Sequence, residues 1–157
     1  MSSNTSLTSV SIPDGVTSIG YQAFFCCYRL TNITIPDTVT SIGEHAFECC
    51  HSLTSITIPA GITSIGESTF EDCTSLISVT IPDSVTVIER EAFYRCEKLT
   101  SITIPSSVTE IGYEAFWGCN ELTDIYVDQT QNDTLFANAS VPDGCNITWN
   151  TTGSGSI

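Results

Sequence analysis

The chain repeats one pattern of apolar and polar positions every 23 residues, as from Leu30 to Leu53. In the segment LTSITIP, Ile56 and Ile58 alternate with Ser55 and Thr57. This period of two is typical of a half-buried strand. A proline follows, and it ends the strand because it has no N–H to donate and fixes its own backbone angle. The pattern therefore predicts one short strand in each repeat.

The rest of the repeat predicts a second inward edge, a corner and a short turn. Val39 and Ile42 supply the apolar edge, and Gly43 follows at a corner where we expect a positive φ angle. Residues 44–50 are few and lack β-branched side chains, so we expect one turn of α or 3₁₀ helix that buries Ala46 and Phe47. The corner glycine recurs at Gly20, Gly43, Gly66 and Gly112.

Four residue types keep this spacing over five or more repeats. They are Leu7, Leu30, Leu53, Leu76, Leu99 and Leu122; Pro13, Pro36, Pro59, Pro82 and Pro105; Phe24, Phe47, Phe70, Phe93 and Phe116; and Cys27, Cys50, Cys73, Cys96 and Cys119. A single repeat cannot bury its apolar edge alone, so each must stack on the next. The sequence predicts a β-rich repeat solenoid with a parallel sheet and short helical turns.

The two ends depart from the repeat. We divide the chain into a lead-in at 1–6, about five and a half coils at 7–127, a C-terminal cap at 128–150 and a flexible tail at 151–157. In the cap, Leu135, Phe136, Val141, Ile147 and Trp149 can fold over the last coil. A final strand at 145–149 would cover the open edge of the sheet, which solenoids must protect.

The phrases LTSITIP, VTSIG and EAFxxC resemble the BspA-like, or Treponema-type, leucine-rich repeats of bacterial and protist surface proteins. The resemblance covers residues 7 to about 126 and implies a right-handed leucine-rich-repeat coil. It also implies an extracellular adhesin or host-protein-binding array, often within a longer chain. Local departures are Thr69 in place of Ala and Glu89 in place of Gly.

The charge of the chain disfavours two classes of binding partner. The formal net charge is -14, with 18 acidic side chains against four basic ones. Such a chain repels nucleic-acid phosphates and anionic lipid heads. We therefore expect neither nucleic-acid binding nor membrane insertion.

The spacing of the eight cysteines distinguishes between disulfides, metal ligands and core residues. Five share one repeat position, which predicts a structural ladder of small buried thiols. Their neighbours Cys26 and Cys49 are expected to face outward on adjacent coils, where the spacing of strands allows one disulfide. No zinc-site spacing is present.

The sequence contains no recognisable catalytic constellation. His45 and His51 are the two histidines, and neither has an adjacent nucleophile pattern. The carboxylates are distributed over outward positions, as expected of a solvated surface. We expect no enzyme activity and no cofactor.

Two surfaces are candidate binding sites. The turn side varies between coils and carries aromatic and Arg side chains, which are enriched at interface hot spots. Its candidates are Tyr21, Phe25, Tyr28, Arg90, Tyr94, Arg95, Tyr113 and Trp117. The sheet face is uniform, and its candidates are Asn32, Thr34, Ser55, Thr57, Ser78, Thr80, Ser101 and Thr103.

The family resemblance, together with the absence of a catalytic constellation, implies a non-catalytic adhesion or protein-binding module at the cell surface, with an extracellular-matrix or host surface protein as the expected partner. A structural spacer in a longer surface protein is the first alternative. Binding of a repetitive ligand, a glycan or ice, by the Ser/Thr sheet face is the second. Six of the seven asparagines lie in N-x-[ST] sequons, which is consistent with secretion.

Overall fold

The structure of the chain, a computed structural model, describes residues 4–150. Within that range the chain forms short strands only. They are β1 (Ser9–Ser11), β2 (Ser18–Ile19), β3 (Asn32–Thr34), β4 (Ser41–Ile42), β5 (Ser55–Thr57), β6 (Ser64–Ile65), β7 (Ser78–Thr80), β8 (Val87–Ile88), β9 (Ser101–Ile104), β10 (Glu110–Ile111), β11 (Asp124–Val127) and β12 (Asn146–Trp149). The predicted tail at 151–157 and the start of the lead-in lie outside the described residues.

Successive strands stack in parallel, one repeat apart. We number the coils from their leucines: coil 1 is 7–29, coil 2 is 30–52, coil 3 is 53–75, coil 4 is 76–98 and coil 5 is 99–121. Ser9 pairs with Asn32 and Ser55 pairs with Ser78, so the register follows the sequence period. The predicted β-rich parallel solenoid is confirmed.

One apolar core runs through all the coils. Each coil contributes its leucine, its strand residues and its Phe, and Phe47, Phe70, Phe93 and Phe116 have no exposed surface. Their rings stack coil on coil, with centroids 5.3 to 5.7 Å apart and planes within 10° of parallel. The alternation that predicted the strands is visible in β5, where Ile56 is buried between exposed Ser55 and Thr57.

The strand pairing is interrupted between coils 2 and 3. On the first side the paired sets are β1–β3, β5–β7 and β9–β11–β12, and on the second they are β2–β4 and β6–β8–β10. Among residues 4–150, neither side therefore pairs coil 2 with coil 3. An open cleft of about 360 Å³ lies between β3 and β5.

The prediction of a helical turn after the corner glycine is wrong. The segment from Gly20 to Cys27 consists of successive tight turns, in which alternate N–H groups donate to the carbonyl three residues back. The intervening N–H groups of Gln22, Phe24 and Cys26 donate instead to carbonyls of coil 2, at 2.8 to 3.1 Å. A helix would keep every N–H inside its own coil, so stacking selects the turns.

The prediction of a positive φ angle at the corner glycines is also wrong. The left-handed angles fall on non-glycine residues later in the turn, such as His45 (φ 56°) and Cys49 (φ 59°). Gly43 is required by close approach, because a Cβ there would lie 2.5 Å from the backbone nitrogen of Tyr21. Gly66, which faces coil 2, has more room, since its Cβ would meet nothing closer than 3.4 Å.

The segment 128–150 continues the stacking although its sequence has left the repeat. The N–H of Phe116 donates to the carbonyl of Ala139 at 2.9 Å, and Leu135 and Ala139 are buried. The last strand, β12, pairs in parallel with β11 and begins one residue later than the sequence suggested. The described residues include no helix that is long and apolar enough to cross a membrane.

The stacked rings make a quantitative prediction. Phe70→Ala removes a fully buried ring at the middle of the stack, so the free energy of unfolding should fall by roughly 3 to 5 kcal/mol. Circular dichroism with urea or heat measures this loss. An unchanged transition would contradict the packing described above.

The corner glycines provide a matched pair. Gly43→Ala places a methyl group against the backbone of Tyr21, and we expect it to cost about 1 to 3 kcal/mol of stability. Gly66→Ala makes ordinary contacts at an unstrained φ and should change stability by less than about 0.5 kcal/mol. Urea unfolding of both variants tests this, and equal losses would show that the coils are not closer at Gly43.

Candidate functional site

The turn side is the face formed by residues 20–28 of coil 1 and by the equivalent residues of later coils. Its backbone hydrogen bonds continue across every junction from coil 1 to the cap, including the junction where the strands are unpaired. At that junction His45, Phe47 and Cys49 donate to carbonyls of coil 3 at 2.8 to 3.0 Å. Side chains on this face are therefore displayed from a continuous backbone framework.

The aromatic pair Tyr94 and Trp117 is the most distinctive feature of this face. Both occupy the position after the buried Phe, in coils 4 and 5, and their rings stack with centroids 4.7 Å apart and planes 16° apart. Trp117 is 46% exposed although it is among the largest side chains. Burial of Tyr94, followed by the nearby charge of Glu114, raises the pKa of its hydroxyl, which therefore stays protonated.

Arg95 lies beside this pair and is held by acidic groups on both sides. Its guanidinium lies 3.2 Å from Asp72 and 3.6 Å from Glu97. Gly118 occupies the equivalent position in coil 5 with φ 75°, and a Cβ there would lie 2.8 Å from Cγ of Arg95. The glycine thus leaves room for the Arg95 side chain.

A cleft of about 500 Å³ joins these groups to the cap. Arg95, Glu97 and Trp117 form one wall, and the cap segment 140–143 forms the other. This second wall was not predictable from the sequence pattern, because residues 140–143 follow no repeat and only the folding of the cap brings them to Trp117. Pro142 within an irregular, partly apolar segment was the one available signal.

The remaining turn-side candidates do not join this cluster. Tyr21 and Tyr28 are exposed in coil 1, where they pack against His45 and His51 respectively. Phe25, of the same coil, is half-buried. Coils 2 and 3 separate these rings from Tyr94 and Trp117, and at the equivalent positions they carry the acidic residues Glu44, Glu48, Glu67 and Glu71.

Arg90 and Tyr113 form a third small group, in coils 4 and 5. The guanidinium of Arg90 donates to Glu91 at 2.7 Å, and this contact raises the pKa of the Arg90 side chain. Tyr113 is 55% exposed, and its hydrogen bond with Glu114 raises the pKa of the Tyr113 hydroxyl. Both arginines of coil 4, Arg90 and Arg95, are therefore engaged by carboxylates.

The cysteine ladder lies beneath this face. Four of its five thiols donate to the carbonyl of the Phe in the preceding coil at 3.2 or 3.3 Å, namely Cys50 to Phe24, Cys73 to Phe47, Cys96 to Phe70 and Cys119 to Phe93. Burial raises the pKa of the Cys119 thiol to about 12 and raises the pKa values of Cys73 and Cys96 well above their ordinary value. The thiols therefore stay protonated and act as donors.

Cys26 differs from its predicted position. It was expected to face outward, but it is buried, while Cys49 is half-buried beside it. The left-handed backbone at both residues turns their side chains into the junction between coils 1 and 2. Both are free thiols, as are the other six cysteines, and burial raises the pKa of Cys49 to about 12.

The sheet face places its eight candidates in two exposed columns. One contains Asn32, Ser55, Ser78 and Ser101, and the other contains Thr34, Thr57, Thr80 and Thr103. Both columns cross the unpaired junctions β3/β5 and β7/β9. They are therefore not one continuous ladder of hydrogen-bonded strands.

Comparison with known proteins agrees with this architecture. The family model described as "BspA type Leucine rich repeat region" matches residues 2–127 in six copies. No curated protein matches the chain.

Several solved structures are similar. A leucine-rich-repeat protein of T. pallidum is 31% identical, with a TM-score of 0.73, over 90% of this chain and 72% of that one. One from Bacteroides ovatus is 35% identical, with a TM-score of 0.69, over 76% of this chain and 39% of that one. A leucine-rich cell surface protein of Faecalibacterium prausnitzii is 41% identical, with a TM-score of 0.58, over 77% of this chain and 39% of that one.

The family match covers most of the chain, and its repeats coincide with the stacked coils described above. The chain belongs to the BspA-type leucine-rich-repeat family.

Proposed function

We propose that this chain is a non-catalytic protein-binding module that acts in adhesion at the cell surface, and that it binds its partner through the turn side of coils 4 and 5. The observation that carries the proposal is the stack of half-buried Tyr94 on exposed Trp117, which lines the cleft together with Arg95. Trp, Tyr and Arg dominate interface hot spots because they bury large areas at little entropic cost. A rigid, preformed cluster reduces that cost further.

The site also combines apolar and charged contacts in a way that suits a protein ligand. Trp117 supplies apolar area, while Arg95 and the carboxylates of Asp72 and Glu97 can exchange their mutual contacts for polar groups of a partner. Backbone hydrogen bonds of coils 4 and 5 fix the positions of both aromatic residues. The partner class that fits is an extracellular-matrix or host surface protein with an exposed apolar patch.

Surface localisation is supported by a relative. The F. prausnitzii protein is described as a leucine-rich cell surface protein, and it shares 41% identity over 77% of this chain. The present chain spans about 39% of that protein, so the partners of a whole protein of this kind can involve further segments. The interrupted sheet face gives less support to a repetitive ligand, which requires evenly spaced groups.

A substitution pair tests the proposal. Binding to a panel of immobilised extracellular-matrix proteins is measured by surface plasmon resonance for the wild type, Trp117→Ala and Tyr126→Ala. Tyr126 is the matched control, because it is an exposed aromatic residue of the sheet face, with 39% exposure. Trp117→Ala should weaken binding about thirtyfold or more, the effect of a hot-spot residue worth about 2 kcal/mol.

The control variant and the outcomes that would contradict the proposal give distinguishable binding results. Tyr126→Ala should bind within about twofold of the wild type, and both variants should keep the unfolding transition of the wild type. A loss confined to Tyr126→Ala would move the site to the sheet face. Absence of binding to every member of the panel would favour the structural spacer.

A further inference from the structure

We infer that His45, Glu48 and Glu71 form a binding site for one divalent transition-metal ion of the zinc class, which bridges coils 2 and 3 on the turn side. The inference goes beyond the proposed function and does not depend on it. It rests on the positions that the coil stacking gives to three side chains from two repeats.

Glu48 and Glu71 occupy the same position in adjacent coils. In coils 1, 4 and 5 this position is aromatic, with Phe25, Tyr94 and Trp117. Stacked aromatic rings stabilise a coil junction, whereas two stacked carboxylates repel each other. A cation between the two carboxylates would relieve this repulsion.

His45 brings a third donor to the same point. Its Nδ1 lies 2.6 Å from Oε2 of Glu48, three residues along the same tight turn. Its left-handed backbone (φ 56°) recurs at the equivalent residue of every coil from 1 to 5, so the fold determines where the ring lies. Tyr21 packs edge-on against the ring with centroids 5.6 Å apart. The imidazole thus contacts both the Glu48 carboxylate and the ring of Tyr21.

The donor set and its spacing suit a zinc-class ion. One ligand atom from each of the three residues lies within 4.8 Å of the others. Zinc binds imidazole nitrogen and carboxylate oxygen at about 2.0 to 2.2 Å, so neighbouring ligands of a tetrahedral site lie about 3.4 Å apart. Binding of an ion requires the three ligand atoms to adopt this spacing. Calcium and magnesium are disfavoured because they prefer six or more oxygen ligands.

The site is enclosed on the protein side and open on the other. The side chains of His45 and Glu48 are 25% and 18% exposed, respectively. Three protein ligands and one open position are the arrangement of zinc sites that accept water or an external ligand.

An ion at this location would stabilise the junction between coils 2 and 3. Coils 2 and 3 are the neighbours whose strands are unpaired on both sides, so among residues 4–150 their junction depends on the turn side. Ligands from both coils would tie this junction together. Binding of an ion to the folded state alone also raises stability by mass action.

Calorimetric titration of chelator-treated protein with Zn²⁺ tests the inference. The expected result is one saturable site with micromolar or tighter affinity, weakened at least tenfold by His45→Gln and by Glu71→Gln. The matched controls His51→Gln and Glu67→Gln should bind as the wild type does. His51 lies against Tyr28 and is the only other histidine, and Glu67 is a turn-side carboxylate outside the ligand set.

A second readout separates this site from thiol binding and from misfolding. Zn²⁺ should raise the melting temperature of the wild type and of a Cys26→Ser/Cys49→Ser variant, but not that of Glu71→Gln. Circular dichroism verifies that each variant is folded. Absence of saturable binding to the wild type, equal loss in the control variants, or loss of the site in the double cysteine variant would each overturn the inference.

Discussion

Stacking of the turn segments, coil on coil, is the interaction on which the rest of the structure depends. At each junction three turn-side N–H groups donate to the next coil, and a buried Phe stacks on its neighbour. Three such hydrogen bonds contribute roughly 1 kcal/mol each, and burial of the ring adds roughly 1.5 to 3 kcal/mol. Together they exceed the cost of about 1 to 2 kcal/mol for each of the two left-handed residues in the turn. Stacking therefore overrides local backbone preference.

Buried and outward residues of the turn side have different roles, which explains how the outward residues can vary between coils. The buried Phe, the Ala or Thr before it and the Cys thiol carry the stacking, and Thr69 keeps its hydroxyl satisfied by donating to Gly66 at 2.9 Å. Stacking of the coils does not depend on the outward positions. The position after the Phe can hold an acidic pair in coils 2 and 3 and the Tyr94–Trp117 stack in coils 4 and 5. Distinct surface chemistry thus sits on an identical backbone.

The sequence predicts whatever the repeat determines and fails where contacts between coils decide. The strands, the buried Phe column and the parallel solenoid follow from periodicity. The helical turn was wrong because the N–H of Phe24 prefers a partner in coil 2, which no local pattern reveals. The role of Gly43 was misread for the same reason, since the atom it must avoid belongs to Tyr21 in another coil. The cleft could not be predicted because its cap wall, 140–143, has no repeat to align it with Trp117.

The most direct test of whether the turn side holds the coils together is hydrogen exchange at the junction of coils 2 and 3, measured for each residue by NMR. The N–H of Phe47 donates across this junction, whereas Thr54 lacks the bond that its equivalents Thr31 and Ile77 make to the preceding coil. The account predicts strong protection of Phe47 and fast exchange of Thr54 relative to Thr31 and Ile77. Fast exchange at Phe47 together with protection at Thr54 would show that the sheet, and not the turn side, holds the solenoid together.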